Sequence, residues 1–474
     1  MDNAKILQAA DVFIENNWEA IVRDIGKLVA VPSVVDFAHA TAKSPSGEDA
    51  HNGLRAAVDL AGELGFDAVD DAGEVGMATL AGKSDTVLAM MCHADVVAPG
   101  IGWTSDPWTM QRHDGYLVGR GVMDDKGPLV VGLYAMKFFA ERGIELPYTL
   151  RMIIGTNEET GCMRDVKYYL ENYGDPAFMF TPDNTFPVGY GEKGMYRCEL
   201  WSPRFPNSPM INFETVGLPV NAVAGSARMV IKTGKENLPD TDRIKVTYND
   251  DYTVTLEATG ISAHAAEPER GLNAIGLIID YIIEHHMVMK MDRPYLQAIK
   301  RVIDATDGSL AGIAASDEHF GALTCAAGTI RMRSNRICMT ADVRFPTSTS
   351  PDELDSAFAT LLKGCGGTVE RTFAAEPFLM DPQSAIVQTM AQCYHDATGL
   401  DGEPFTVGGG TYAREFPRAV SFGVEDPHDS YPEWVGGMHG ADEGVAEETL
   451  KRALRTYILT IDRLMEMDLD NLEV

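Results

Sequence analysis

Apolar residues recur at helical spacing over 4–30 and again over 47–64. Short apolar runs follow: TVLAMMCHADVV at 86–97, YTLRMIIGTNEE at 148–159 and AFMFTPD at 177–183. Each is rich in β-formers and reads as a buried strand. Helical patterns at 125–142 and 163–173 separate them. This alternation of β and α predicts a mostly parallel sheet covered by helices. From residue 190 the texture changes. Polar and apolar residues alternate at 226–233, 252–261, 326–332 and 336–345, with helical stretches at 271–286 and 351–364. One-sided alternation predicts an antiparallel sheet with helices on one face, an α+β arrangement. Helical spacing returns at 384–398 and 443–466, with a strand-like AVSFGV at 419–424. The expected organisation is a first domain built from 1–188 and 383–474, with a second domain, 189–382, inserted into it.

Composition narrows the classes. A chain of 474 residues is too long for one ordinary core, and 45% hydrophobic against 23% charged residues provides cores of full size. Seventy acids against 39 bases give a net charge of −31. Such a field repels nucleic acid and anionic membrane surfaces, so neither is expected as a partner. The seven cysteines are scattered, with no CxxC pair, which argues for a reducing compartment and against a disulfide framework or a cysteine-based zinc cluster. The N-terminus lacks a basic stretch followed by an apolar one, and no apolar run approaches the roughly 20 residues that span a bilayer. A cytoplasmic location is expected.

The candidate chemistry lies where parallel strands end, which is where α/β folds place ligands. The proposed strands end in Cys92-His93-Ala94-Asp95, in Asn157-Glu158-Glu159 and in Thr181-Pro182-Asp183. Asp124 and Asp125 stand at the entry of the helix between the first two, and the loop GGMHGADE adds His439. Each has an ordinary explanation taken alone: Asp is a common helix N-cap, Pro-Asp a common turn, Glu-Glu a common solvated pair. Together they would place acids and imidazoles at one end of one sheet, where they need a cation or must take up protons. Imidazole with carboxylate and without thiolate suits zinc, manganese or cobalt rather than calcium. Cys92 faces away from His93 on an extended strand and belongs to the core. Asp95, two residues from His93, shares its face and can accept the second ring N–H. Spacing does not decide which of Glu158 and Glu159 is ligand and which is base.

In this order, HADVV, GRGVMDDKGP, GTNEETG, TPDNTFP and MHG resemble the motifs of the co-catalytic di-zinc exopeptidases. That family includes aminoacylases, desuccinylases, carnosinases and PepV-type dipeptidases. GISAHAAEPERGLNA at 260–274 resembles the family's lid motif, and GTNEET, TPDNTFP and GGGTYAR resemble the PepV-type branch. The resemblance implies a zinc-exopeptidase catalytic domain, α/β with a mostly parallel sheet, carrying an inserted α+β lid domain. It further implies two divalent ions per chain, zinc foremost, with manganese or cobalt as alternatives. His93 and Asp183 would bind one ion, Glu159 and His439 the other, and Asp124 both, with its peptide bond to Asp125 cis. Glu158 would be the general base, Asp95 the orienter of His93 and His264 the oxyanion donor. Arg344 would bind the substrate carboxylate, with Asn221 and Gly409 as further substrate contacts. Lys126, Tyr412 and Arg414 lie near the motifs and receive no role.

With two divalent ions, three anionic ligands and one bridging hydroxide the cluster is neutral. The expected activity is hydrolysis of short peptides, foremost unblocked dipeptides, by a metal-bridged hydroxide. The alternative is an N-acyl-amino-acid deacylase of the aminoacylase or desuccinylase kind. The long insertion implies a monomer with His264 acting in cis.

Overall fold

The computed structural model describes residues 3–249 and 251–472. It divides into two compact units. One comprises Met1–Tyr190, Leu379–Phe405 and Gly410–Val474, and the other comprises Gly191–Phe378 and Thr406–Gly409. Periodicity expects junctions at 188/189 and 382/383. It gives no hint that the short return at 406–409 belongs with the inserted unit.

The first unit opens with α1 (Asn3–Val29) and α2 (Glu48–Glu63), then β1 (Asp67–Asp71), β2 (Val75–Leu80) and β3 (Ser84–His93). Next come α3 (Lys126–Glu141), β4 (Tyr148–Gly155), α4 (Arg164–Tyr173) and β5 (Phe178–Thr181). The strand order through its central sheet is β1-β2-β4-β3-β5, continued by the late strand Ala419–Ser421. β3 pairs in parallel with both β4 and β5, and Ala419–Ser421 pairs in parallel with β5. β1 and β2 form an antiparallel edge that periodicity did not predict, because their pattern mixes acids and small residues. Residues Leu88–His93 are all buried, as a central parallel strand covered on both faces requires. α3 is buried along nearly its whole length, which explains its apolar run, LVVGLYAMKFF.

In the second unit, β6 (Gly194–Trp201), β7 (Met210–Glu214), β8 (Ser226–Lys232), β9 (Ile244–Tyr248) and β10 (Thr253–Thr259) precede α5 (Ala274–Glu284) and α6 (Arg293–Asp304). β11 (Thr324–Arg333), β12 (Arg336–Phe345), α7 (Pro351–Lys363) and β13 (Thr368–Ala375) follow. They form two four-stranded antiparallel sheets, β11-β12-β6-β13 and β7-β8-β10-β9. The Ile-rich face of α5, with Ile275, Ile278, Ile279 and Ile282, joins Met229, Ile231 and Leu256 in one core. Asn273 caps α5 by accepting from Ile275 N and Gly276 N, while its amide donates to Ala327 O at 2.7 Å. Ser350 and Glu353 form a reciprocal capping box on α7. The first unit closes with α8 (Ala385–Thr398), β14 (Ala419–Ser421) and α9 (Glu447–Leu464), the last packing on α1, α3 and α8.

Gly127, in the first turn of α3, shows why DDKGP needs a glycine. A Cβ there would collide with the Val122 carbonyl oxygen, part of the backbone that leads to Asp124. Gly→Ala inside a helix ordinarily gains about 0.5–1 kcal/mol. Gly127→Ala should instead cost about 2 kcal/mol in urea unfolding of the full chain, and a stabilised variant would contradict the packing described.

Candidate metal centre

The parallel register brings the motifs to one edge. His93, the last residue of β3, is level with Gly155, the last of β4, so the chain beyond Gly155 delivers Glu158 and Glu159 to the same end. β5 delivers Asp183 two residues past its own end. Asp124 arrives from the loop before α3, and His439 from the loop before α9, with a left-handed backbone (φ 64°). The Asp124–Asp125 peptide bond is cis.

His93 Nε2 lies 2.9 Å from Asp124 Oδ1 and 3.7 Å from Asp183 Oδ2. His439 Nε2 lies 2.9 Å from Asp124 Oδ2 and 2.9 Å from Glu159 Oε2. Asp124 thus offers one oxygen to each histidine. Donor atoms of His93, Asp124 and Glu159, and separately of His93, Glu158 and Asp183, all fall within 4.8 Å of one another. The structure therefore brings together every metal-ligand candidate and Glu158. His93 Nε2 is completely buried, yet it has no aligned hydrogen-bond partner. A buried ring nitrogen without a hydrogen bond, among carboxylate oxygens, fits a cation ligand. The centre thus passes the chemical test for divalent ions.

The surrounding residues hold this arrangement in ways only partly anticipated. Asp95 meets the His93 ring through its backbone and not, as expected, through its side chain: His93 Nδ1 donates to Asp95 O at 2.9 Å, while the carboxylate stands 3.6 Å away. β3 ends at His93, so the two-residue alternation does not continue to Asp95. The Asp95 carboxylate instead accepts from Glu158 N at 3.4 Å and Glu159 N at 3.2 Å, fixing the acid pair. Asp125 occupies the N-cap position of α3 without capping it. Its carboxylate accepts from His93 N at 3.1 Å, tying the helix entry to the strand end. Glu159 Oε1 accepts from Val97 N at 3.1 Å. Cys92 is fully buried and free, its thiol pushed well up by burial and by the charge of Asp125.

Two residues given no role turn out to be structural. Lys126 Nζ donates to Val31 O at 2.7 Å. Tyr412 donates to Asp165 Oδ2 at 2.6 Å, and that oxygen also accepts from Thr156 N at 2.7 Å and Asn157 N at 3.2 Å. Asp165 was missed altogether. It lies in a helix, eight residues beyond Asn157, where no strand or turn pattern marks it.

The remaining candidates share the second unit. Arg344 is buried and held by Asp342 Oδ1 at 2.6 Å, while its Nη1 donates to Gly408 O at 3.2 Å. His264 forms a β-bridge with Ala222, next to Asn221, whose carbonyl accepts from Ala265 N at 2.9 Å. Gly408 sits against Ala266, and a Cβ on Gly409 would meet open space. So His264, Asn221, Arg344 and Gly409 lie on neighbouring segments. Asp342, not foreseen, orients the arginine. Its signal was the ADVRFP alternation, which puts it on the same strand face as Arg344.

A model of the peptidase family M20/M25/M40 matches residues 89–463. The chain belongs to this family. It is the di-metal exopeptidase family that the motifs resemble. The chain is 28% identical to YtjP of Bacillus subtilis (strain 168), a protein named provisionally as a dipeptidase, over 94% of this chain and 99% of that one. It is 27% identical to the Beta-Ala-Xaa dipeptidase of Lactobacillus delbrueckii subsp. lactis, over 95% and 97%. Its fold is similar to that of the dipeptidase Dug1p from Saccharomyces cerevisiae, with a TM-score of 0.62 at 12% identity, covering 99% of this chain and 100% of that one.

The cluster by itself competes for protons. Hydrogen bonds to Asp124 and Glu159 push His439 up to about 11. Burial, then the charge of Asp124, pushes Asp183 up to about 7. Burial raises Asp124, but the adjoining imidazoles of His439 and His93 outweigh it and hold its carboxyl low. A cation must displace the protons on His439 and, below neutrality, on Asp183. Sites that release protons on binding gain affinity as pH rises. Titration of metal-free protein with zinc should therefore show affinity increasing between pH 6 and 8, with net proton release. Affinity unchanged over that range would contradict this electrostatic description.

Proposed function

We propose that this chain is a two-metal dipeptidase acting on unblocked dipeptides. The observation that carries the reading is Asp124, whose two carboxylate oxygens each face a different histidine at 2.9 Å. The names of the two curated relatives support dipeptides as the substrate class. His93 and Asp183 would hold one ion, Glu159 and His439 the other, and Asp124 both. Zinc is proposed, and manganese and cobalt suit the same donors. When bound, such ions would polarise the scissile carbonyl and make a water acidic near neutral pH.

Glu158 accepts the proton of that water and passes it to the leaving nitrogen. In the metal-free cluster burial, then the charge of Asp183, lifts its carboxyl well above the usual range. Asp95 keeps Glu158 in place through the backbone N–H it accepts. In the second unit, Arg344 binds the substrate carboxylate in the planar, two-point manner of a guanidinium. His264 donates to the carbonyl oxygen as charge develops there. Asn221 and Gly409 contact the dipeptide backbone. The protein works as a monomer in the cytoplasm, a setting that the free cysteines support.

Glu158→Gln should lower kcat by about a thousandfold while metal content stays at the wild-type level, the scale of lost acid–base catalysis. Unchanged turnover would remove Glu158 from the chemistry. Ala-Ala and other free dipeptides should be cleaved, and their N-acetylated forms should not. Preference for the acetylated forms would make the protein a deacylase. Light scattering should report a single chain per particle, and an obligate dimer would contradict the assignment of His264 in cis.

A further inference from the structure

We infer that the buried Arg120–Glu443 pair is the positioning device for the Glu159–His439 half of the metal centre, an inference that rests on the two-metal reading above. Glu443 lies four residues past His439 and is completely buried, and Arg120 is 1% exposed. Glu443 Oε2 is ion-paired with Arg120 Nη1. Its other oxygen, Oε1, accepts from three backbone donors of one short segment: Gly121 N at 3.1 Å, Met123 N at 3.0 Å and Asp124 N at 3.2 Å. The same guanidinium donates through Nη2 to the carbonyl of Gly440, the residue after His439, at 3.0 Å. One ion pair therefore grips the backbone of Asp124 with one end and the backbone beside His439 with the other.

The His439 loop needs such a grip. His439 and Asp442 both have left-handed backbones, with φ of 64° and 53°. Residues 437–442 make no strand ladder, and the loop closes by Gly440 N to Gly437 O at 3.0 Å and Gly436 N to Asp442 O at 2.7 Å. Local sequence does not favour this shape in non-glycine residues. Glu443 itself is pinned by Gly119 N, which donates to its carbonyl at 2.9 Å, and the Trp103 ring lies 5.2 Å from the Arg120 guanidinium carbon. None of these residues is a candidate ligand. A buried ion pair held so fully has a specific geometric use here rather than a general stabilising one.

The asymmetry gives a distinct signature. Loosening the pair moves Asp124, which both ions share, and also His439, which serves only one. The ion between Glu159 and His439 should suffer first. Residues that orient metal ligands typically change affinity by about 10–100-fold when altered. Calorimetric titration of metal-free full-length protein with manganese should show two ions bound by the wild type. Glu443→Gln should keep one ion within about threefold of its wild-type affinity and bind the other at least about tenfold more weakly. Its isotherm should match that of His439→Ala rather than Asp183→Ala. At saturating manganese, kcat of Glu443→Gln should recover towards the wild-type value with KM unchanged, which a general folding defect would not give.

Two wild-type affinities in a folded Glu443→Gln would overturn the inference. If that variant does not fold, Arg120→Lys serves instead, since a lysine cannot hold Glu443 and the Gly440 carbonyl with a planar fork. The same selective loss supports the inference, and two wild-type affinities overturn it. Should the wild type itself bind fewer than two ions, the two-metal reading falls first and the inference with it.

Discussion

Two imidazoles and four carboxylates crowd one edge of a parallel sheet, at separations that like charges in a protein interior do not tolerate unaided. His93, His439, Asp124, Glu158, Glu159 and Asp183 are linked by imidazole–carboxylate separations of 2.9 to 3.7 Å and by two groups of donor atoms within 4.8 Å. Either protons or cations must balance them. Protons alone leave His93 with a buried ring nitrogen that has no aligned hydrogen-bond partner. Divalent ions supply the missing charge with ligands of the right type, and the rest of the unit is arranged around delivering those six groups.

Delivery is a backbone problem solved with buried acids that are not themselves ligands. Asp95 fixes the Glu158–Glu159 turn, Asp165 fixes the turn before it, and Asp125 ties α3 to the end of β3. Glu443 spans from the Asp124 loop towards the His439 loop. Each carboxylate accepts from backbone N–H groups that a loop would otherwise leave unsatisfied. The strong acidity of the chain thus has an internal part as well as a surface one. In the second unit the Asp342 carboxylate holds a side chain instead, that of Arg344.

Most of this was legible in the sequence, for identifiable reasons. β3, β4 and β5 are continuous apolar runs, and central parallel strands must be so; the candidate ligands stand at or shortly after their ends, with His93 closing β3, Glu159 four residues past β4 and Asp183 two past β5. The helices 385–398 and 447–464 carry clear periodicity and are seen close to where it places them. β1, β7, β9 and β13 lie at sheet edges and escaped, and β2 and β6 escaped although they are internal to their sheets. The role of the Asp95 carboxylate escaped because it depends on where β3 stops. Asp165 and Glu443 escaped because their partners are backbone atoms or side chains remote in sequence, which no spacing rule reaches, whereas Asp342, two residues from Arg344, lay within reach of the strand alternation. The choice between Glu158 and Glu159 came from family resemblance. In the structure Glu159 faces His439, whereas Glu158 lies with His93 and Asp183.

The central claim is that these six groups converge because two divalent cations sit among them. Anomalous scattering from a crystal grown with zinc or manganese tests it most directly. The account predicts two strong peaks, one between His93 and Asp183, one between Glu159 and His439, with Asp124 reaching both. A single peak, or peaks bound by other residues while His93 and His439 point away, would contradict it.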